Sequence, residues 1–164
     1  MKYMNMVLLG LIVFSGCNKF VKASEHERMI RQVFTIQLSR DMIFDRALEW
    51  CAKKYGSIND VIIVKDREKG KIISKGTGKY SEYLDFLVDR QFGYTLIIEI
   101  KENRYRVTFD NFIVNYNERD LRSNPAEYQF EIDKIKVQLE KLSENLRDYI
   151  SRGVSGEMKK EEEW

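Results

Sequence analysis

Apolar and polar residues alternate from about Met29 to Leu38, with Phe34, Ile36 and Leu38 on one side and Val33, Thr35 and Gln37 on the other. That period of two predicts a first strand with one covered face. At Ser39 the period changes. Ile43, Phe44, Ala47, Leu48, Cys51, Ala52 and Tyr55 recur at helical spacing opposite Arg46, Glu49, Lys53 and Lys54. They predict an amphipathic helix capped by Ser39, with Asp41 in its first turn and Gly56 after its end. Val61 to Asp66 and Lys71 to Gly76 are β-branched runs joined by Arg67-Glu68-Lys69-Gly70, where Gly70 can take the positive φ that closes a hairpin. Tyr94, Leu96, Ile98 and Ile100 alternate with Thr95, Ile97, Glu99 and Lys101. After Glu102-Asn103 the alternation resumes with Tyr105, Val107 and Phe109 against Arg104, Arg106 and Thr108. This hairpin is the clearest β signal in the chain.

A last helix is predicted to open with Asn124 as cap, Pro125 at the first helical position and Glu127 at the third. Tyr128, Ile132, Ile135, Leu139, Leu142, Leu146 and Tyr149 then form one stripe along about six turns. The stripe suits either a coiled-coil seam or a helix laid across a sheet, and an otherwise unpaired sheet face favours the second.

The order strand, helix, four strands, helix carries three distinctive runs. They are Arg46-Ala47-Leu48-Glu49-Trp50 in the first helix, Gly70-Lys71-Ile72-Ile73-Ser74-Lys75-Gly76 in the third strand and Asn103-Arg104-Tyr105-Arg106-Val107-Thr108-Phe109 in the fifth. In these the chain resembles a family of exported bacterial proteins, a domain of unknown function with a TATA-binding-protein-like fold, often found behind a lipoprotein signal. The resemblance covers about Ile30 to Tyr149. Where the family turn commonly carries Gly, this chain has Asn103, a residue that tolerates positive φ. The resemblance implies a fold and no reaction: a TBP-like α+β domain of order β-α-β-β-β-β-α, with an antiparallel sheet and two helices on one face.

The amino terminus bears on location. Lys2 precedes the apolar run Met6 to Phe14, which has the length of an export signal and is too short to span a bilayer. Phe14-Ser15-Gly16-Cys17 resembles the lipobox of bacterial lipoproteins, with Phe14 at the usual Leu position. The resemblance implies cleavage before Cys17 and acylation of its thiol. The expected organisation is a signal peptide over 1–16, a tether over 17–28, the domain over 29–150 and a disordered tail over 151–164. The exported domain would then be anchored to the bacterial membrane, on the periplasmic side or at the cell surface.

Composition and chemistry narrow the function. Basic and acidic side chains nearly balance, 28 against 26, so there is no electrostatic case for nucleic acid as a partner. His26 is the only histidine, so no His-based triad or zinc site can be assembled, and neither metal nor cofactor is expected. Cys51, on the apolar helix face, reads as a small packed residue rather than a nucleophile. Asp41, Asp45 and Glu49 share a helix face, yet Glu49 stands four residues before Lys53 in the order that favours a surface ion pair. Gly70, Gly76 and Gly78 surround a strand rather than linking strand to helix, so they form no phosphate loop.

With no catalytic residue in view, the expected role is a membrane-anchored, non-catalytic binding module for a protein or envelope component. The alternative is an envelope enzyme built from Asp, Glu, Tyr and Arg alone. Two surfaces are candidates. One is the sheet face turned from the helices, with Arg106 oriented by Glu99 and flanked by Arg104 and Ile97. The other is the connection Lys79 to Phe92, whose Tyr80, Tyr83 and Phe86 are unusually aromatic for a loop, unless the strands extend and fold it onto the core. The pattern does not fix the oligomeric state.

Overall fold

The computed structural model describes residues 21–55, 61–83, 87–116 and 123–160. Strand β1 (Ile30–Thr35) leads to helix α1 (Arg40–Tyr55), followed by β2 (Ile62–Asp66), β3 (Lys71–Tyr83), β4 (Leu87–Lys101), β5 (Arg104–Asn115) and the short β6 (Ser123–Pro125). Helix α2 (Gln129–Lys160) follows. All pairings are antiparallel, in the order β1-β5-β4-β3-β2, with β6 added to the end of β5.

Strand parity decides what is buried. Ile72, Leu96, Ile98, Ile100, Tyr105, Val107 and Phe109 point to one side and are buried there beneath Ile43, Phe44, Ala47, Trp50 and Cys51 of α1 and Ile132, Ile135, Leu139, Leu146 and Ile150 of α2. The α2 stripe is therefore consumed within its own chain and lies across the sheet. Trp50, absent from the expected apolar face of α1, is buried in the core, and its indole Nε1 is satisfied there by donating to Asn145 Oδ1 of α2 at 2.9 Å. The two tight turns form as their residues require, Gly70 at φ +61° and Asn103 at φ +59°. Ser39 caps α1, its Oγ accepting from the Met42 N–H at 3.3 Å. The expected Gly56 cap lies outside the described residues.

Of the two readings of Lys79 to Phe92, the extended strands hold among the described residues: β3 and β4 stay paired from Lys71↔Glu99 to Tyr83↔Leu87. Strand β5 continues beyond Phe109 because Asn111, at φ +53°, forms a bulge that shifts the parity and turns Phe112 and Val114 inward. Ser123 to Pro125 pair with β5 instead of opening a helix, a position an edge strand allows to proline. The helix starts four residues later, with Glu131 reaching back to the N–H groups of Glu127 and Tyr128 at 3.2 Å each.

The expected tether is docked from Val21 on. Ala23 is buried and its N–H donates to the Glu127 carbonyl at 2.8 Å, while Ser24 and Glu27 cap each other reciprocally. Finally, α2 continues to Lys160 rather than giving way to a disordered tail at residue 151. Gly153 and Gly156 each cost about 1 kcal/mol in a helix, and the good helix formers Glu157, Met158, Lys159 and Lys160 follow them.

Candidate binding face

No described element covers the second face of the sheet. Register places Lys71, Glu99, Arg106 and Val33 in one row across it, with Val33 63% exposed. In the middle of that row the Arg106 guanidinium donates twice to Glu99 Oε2, from Nε at 2.8 Å and Nη2 at 2.5 Å. Arg106 is thus committed to its cross-strand neighbour, and the residues around the pair carry the unbalanced charge. Lys71, Lys75 and Lys79 stand at every fourth position of β3, and Lys101 and Arg104 at the β4–β5 turn. Among the described residues none of these five cations is within ion-pairing distance of a carboxylate. A shallow depression of about 340 Å³ lies among Val33, Glu99, Lys101, Arg104, Tyr105 and Arg106. Another of about 530 Å³ adjoins it, sharing Glu99 and Lys101. The face can hold an anion; Ile97 and Ile73, paired in register and half-buried, give it an apolar floor.

Other candidates are dispersed. Tyr80 belongs to the core face, 4% exposed, and is no surface contact. Tyr83 ends β3, 71% exposed, and Phe86 lies outside the described residues. The acidic row on α1 is engaged in surface ion pairs: Asp41 and Asp45 hold Arg67, and Glu49 holds Lys53 at 2.7 Å. Burial pushes the Cys51 thiol up to about 12, so the buried sulfur is a poor nucleophile at neutral pH.

Two features escaped sequence reasoning. A groove of about 730 Å³ runs between β1 and the first turns of α2, lined by His26, Arg31, Gln32, Asp133, Lys136 and Glu140 among others. Only the long-range packing of α2 along the edge of the sheet creates it. The other is a polar cluster at the far end of the β3–β4 hairpin. Arg90 Nε donates to Glu82 at 2.6 Å, and these side chains are only 13% and 12% exposed. Arg90 also donates to the Tyr116 carbonyl and lies over its ring, while the Tyr116 hydroxyl donates to the fully buried Glu131. Burial, with the carboxylate of Glu131 adding to it, holds the Tyr80 and Tyr116 hydroxyls above the ordinary phenol range. Apart from the Tyr80 hydroxyl, which has no partner, these groups satisfy one another, as a brace does.

A sheet with two helices on one face and an open face opposite defines a TBP-like α+β domain. The chain belongs to DUF4468, a domain of unknown function with a TBP-like fold, which matches residues 31–115. It is similar to the crystal structure of a TBP-like protein from Parabacteroides distasonis, with a TM-score of 0.60 and 15% identity over 74% of this chain and 91% of that one. It is also similar to a DUF4468 family protein from Bacteroides ovatus, with a TM-score of 0.56 and 14% identity over 79% of this chain and 87% of that one. At these identities the likeness concerns the fold alone. No curated protein matches the chain.

Proposed function

We propose that this chain is an exported lipoprotein, held to the bacterial membrane through Cys17, and that its domain is a non-catalytic binding module. Its open face takes a partner that presents carboxylate or phosphate groups. The observation that carries the reading is the set of five cations, Lys71, Lys75, Lys79, Lys101 and Arg104, left without carboxylates among the described residues around a single internal ion pair. The whole chain is nearly balanced in charge, so this surplus is a property of the face and not of the composition. Support for the anchor is the apolar run and the lipobox-like Phe14-Ser15-Gly16-Cys17. Support for a non-catalytic role is that Asp41, Asp45 and Glu49 are spent on surface ion pairs.

The test is a pull-down from crosslinked envelopes with the tagged lipoprotein. Lys101→Glu/Arg104→Glu leaves Glu99 and Arg106 paired and should lose the captured partner. Recovery of the same partner at wild-type yield would overturn the face as the site. Cys17→Ser should remain an uncleaved precursor without fatty-acid label, and labelling equal to wild type would overturn the anchor.

A further inference from the structure

We propose that the free edge of β1, with the groove beside it, takes up an extended segment of another protein as an added strand, one that alternates apolar side chains and brings a carboxylate to Arg31. The site is separate from the five cations of the open face and does not depend on the anchor. The phase of the strand pairing shows what the edge offers. The Ile36 N–H donates to the Asn103 carbonyl at 2.9 Å, in step with the pairs Phe34↔Tyr105, Gln32↔Val107 and Ile30↔Phe109. Bonded and unbonded pairs alternate in an antiparallel ladder, so Arg31, Val33 and Thr35 turn their N–H and C=O groups away from β5. Among the described residues β1 pairs with β5 and with no other strand. The opposite edge of the sheet is guarded, since β2 has a bulge between Ile62 and Val64 and carries Lys65. Strand β1 pairs without a shift from Ile30 to Thr35, holds neither Lys nor Pro, and exposes Val33 near its centre. Such an edge is a template for a further strand.

The groove identifies the occupant. Met29, Ile30, Arg31 and Gln32 line it in succession, from both faces of the strand, so it follows the edge; Ile132, Asp133, Lys136 and Glu140 of α2 form its other wall. A groove between an edge strand and a helix lets an added strand gain main-chain hydrogen bonds from the edge and side-chain pockets from the groove, and about 730 Å³ is room for such a ligand. Alternate side chains of the added strand enter the groove over Ile30 and Ile132, and these are apolar. Gln32 also lines it, with a buried Oε1 that has no partner among the described residues, a cost that a donor from the added strand relieves. The other side chains fall on the open side, beside Val33 and Arg31. Arg31 meets no carboxylate among the described residues, its Nη2 contacting only Met29 Sδ at 3.1 Å, so the residue beside it is acidic. On the helix wall Asp133, Lys136 and Glu140 interleave the two signs and select neither. Strand β1 contains no acidic residue, so a second copy added edge to edge brings Arg31 no carboxylate, whereas a foreign segment can.

The test selects a phage-displayed library of linear peptides against the full chain in detergent, and the best binder is synthesised with a fluorescein label for anisotropy titrations. The binder should alternate apolar residues and carry an Asp or Glu. Val33→Pro removes an outward N–H that the sheet does not use, at an edge position open to proline, and should weaken binding about tenfold or more. Arg31→Glu should weaken it about fivefold. Lys101→Glu/Arg104→Glu should bind as wild type does. Hydrogen exchange gives a second readout on the wild-type chain: the peptide should slow the amides of Arg31, Val33 and Thr35 and leave those of Ile30, Gln32 and Phe34, already bonded to β5, as they were. This readout decides the matter if Val33→Pro fails to fold. Equal binding to Val33→Pro and wild type, or no slowing of the three outward amides, overturns the added strand. Loss of binding in Lys101→Glu/Arg104→Glu but not in Val33→Pro moves the peptide to the open face and overturns the edge as its site. Outward amides already slow in the free chain mean that its own residues or a second copy hold the edge, and that outcome, like a selection that yields no binder, overturns the proposal.

Discussion

The two ends of the sheet are built on different physics. At the end with the tight turns, Ile72, Ile98, Ile100 and Tyr105 pack under α1 and α2, and the loss of one apolar contact there is shared among many neighbours. At the hairpin end a few charged and hydroxyl groups hold one another, so that Glu82 depends on Arg90 and Tyr116 depends on Glu131. A packed core degrades gradually, whereas a buried polar brace fails when one member is lost, since the partner stays desolvated and uncompensated. The same contrast explains the exposure of Tyr83 and Leu87: the brace fixes the two strands by polar contacts and leaves these side chains out of the core.

The largest effect should follow Arg90→Ala. It leaves the Glu82 carboxylate buried without its counter-ion and should cost roughly 3–5 kcal/mol in a urea unfolding curve. Leu139→Ala in the helix stripe, 1% exposed, should cost roughly 2–5 kcal/mol, with a melting temperature independent of protein concentration because the stripe packs within its own chain. A cost for Arg90→Ala no greater than that of an exposed substitution would break the comparison, since the brace would then not depend on its charged members.

An intermediate effect sharpens the boundary between the two ends. Gly76 and Gly78 lie opposite Tyr94 and Phe92, and a Cβ at Gly76 would run into the Tyr94 ring. The ring cannot easily retreat, because it packs edge-on against Phe109 and its hydroxyl is 3.0 Å from that of Tyr55. Gly76→Ala should therefore destabilise by about 1–3 kcal/mol through overpacking. Gly93→Ala, where the nearest backbone oxygen would be 3.9 Å away, should change stability little in the same denaturation series.

Those glycines also show why one end was legible in the sequence and the other was not. Toward the tight turns the alternation is unbroken in side chains that exist: Leu96, Ile98 and Ile100 against Tyr105, Val107 and Phe109, with Gly70 and Asn103 marking the reversals. At the other end the inward positions 76 and 78 have no side chain, and the Asn111 bulge shifts the parity, so the period of two disappears although the strands continue. Ser24-x-x-Glu27 is the sequence signature of its reciprocal cap, and the pattern predicts the last helix four residues early because Asn124-Pro125 imitates a cap while serving an edge strand. On the candidate face, parity alone exposed Glu99, Arg104 and Arg106. That Arg106 is already paired, and that the surplus rests on its neighbours, depends on register between strands, which no local pattern contains.

The smallest effect concerns Asp110, which stands beside the bulge where the parity of β5 changes. Burial alone pushes its carboxyl above the usual carboxylate range. A carboxyl whose folded value is raised contributes stability below its unfolded value, and that contribution is lost as pH rises through the folded value. At neutral pH the ionised Asp110 therefore opposes folding. Asp110→Asn should raise the thermal midpoint slightly at pH 7, and the gain should shrink to nothing as pH falls below the carboxylate range, where wild-type Asp110 is neutral as well. The side chain is only partly buried, so solvent screening keeps the effect within about 1 kcal/mol. Paired thermal melts of wild type and variant across that pH range check both the sign and the window. A gain that persists at low pH would locate the effect in the Asn111 bulge geometry rather than in the charge, and would place the boundary between the two ends of the sheet in the backbone.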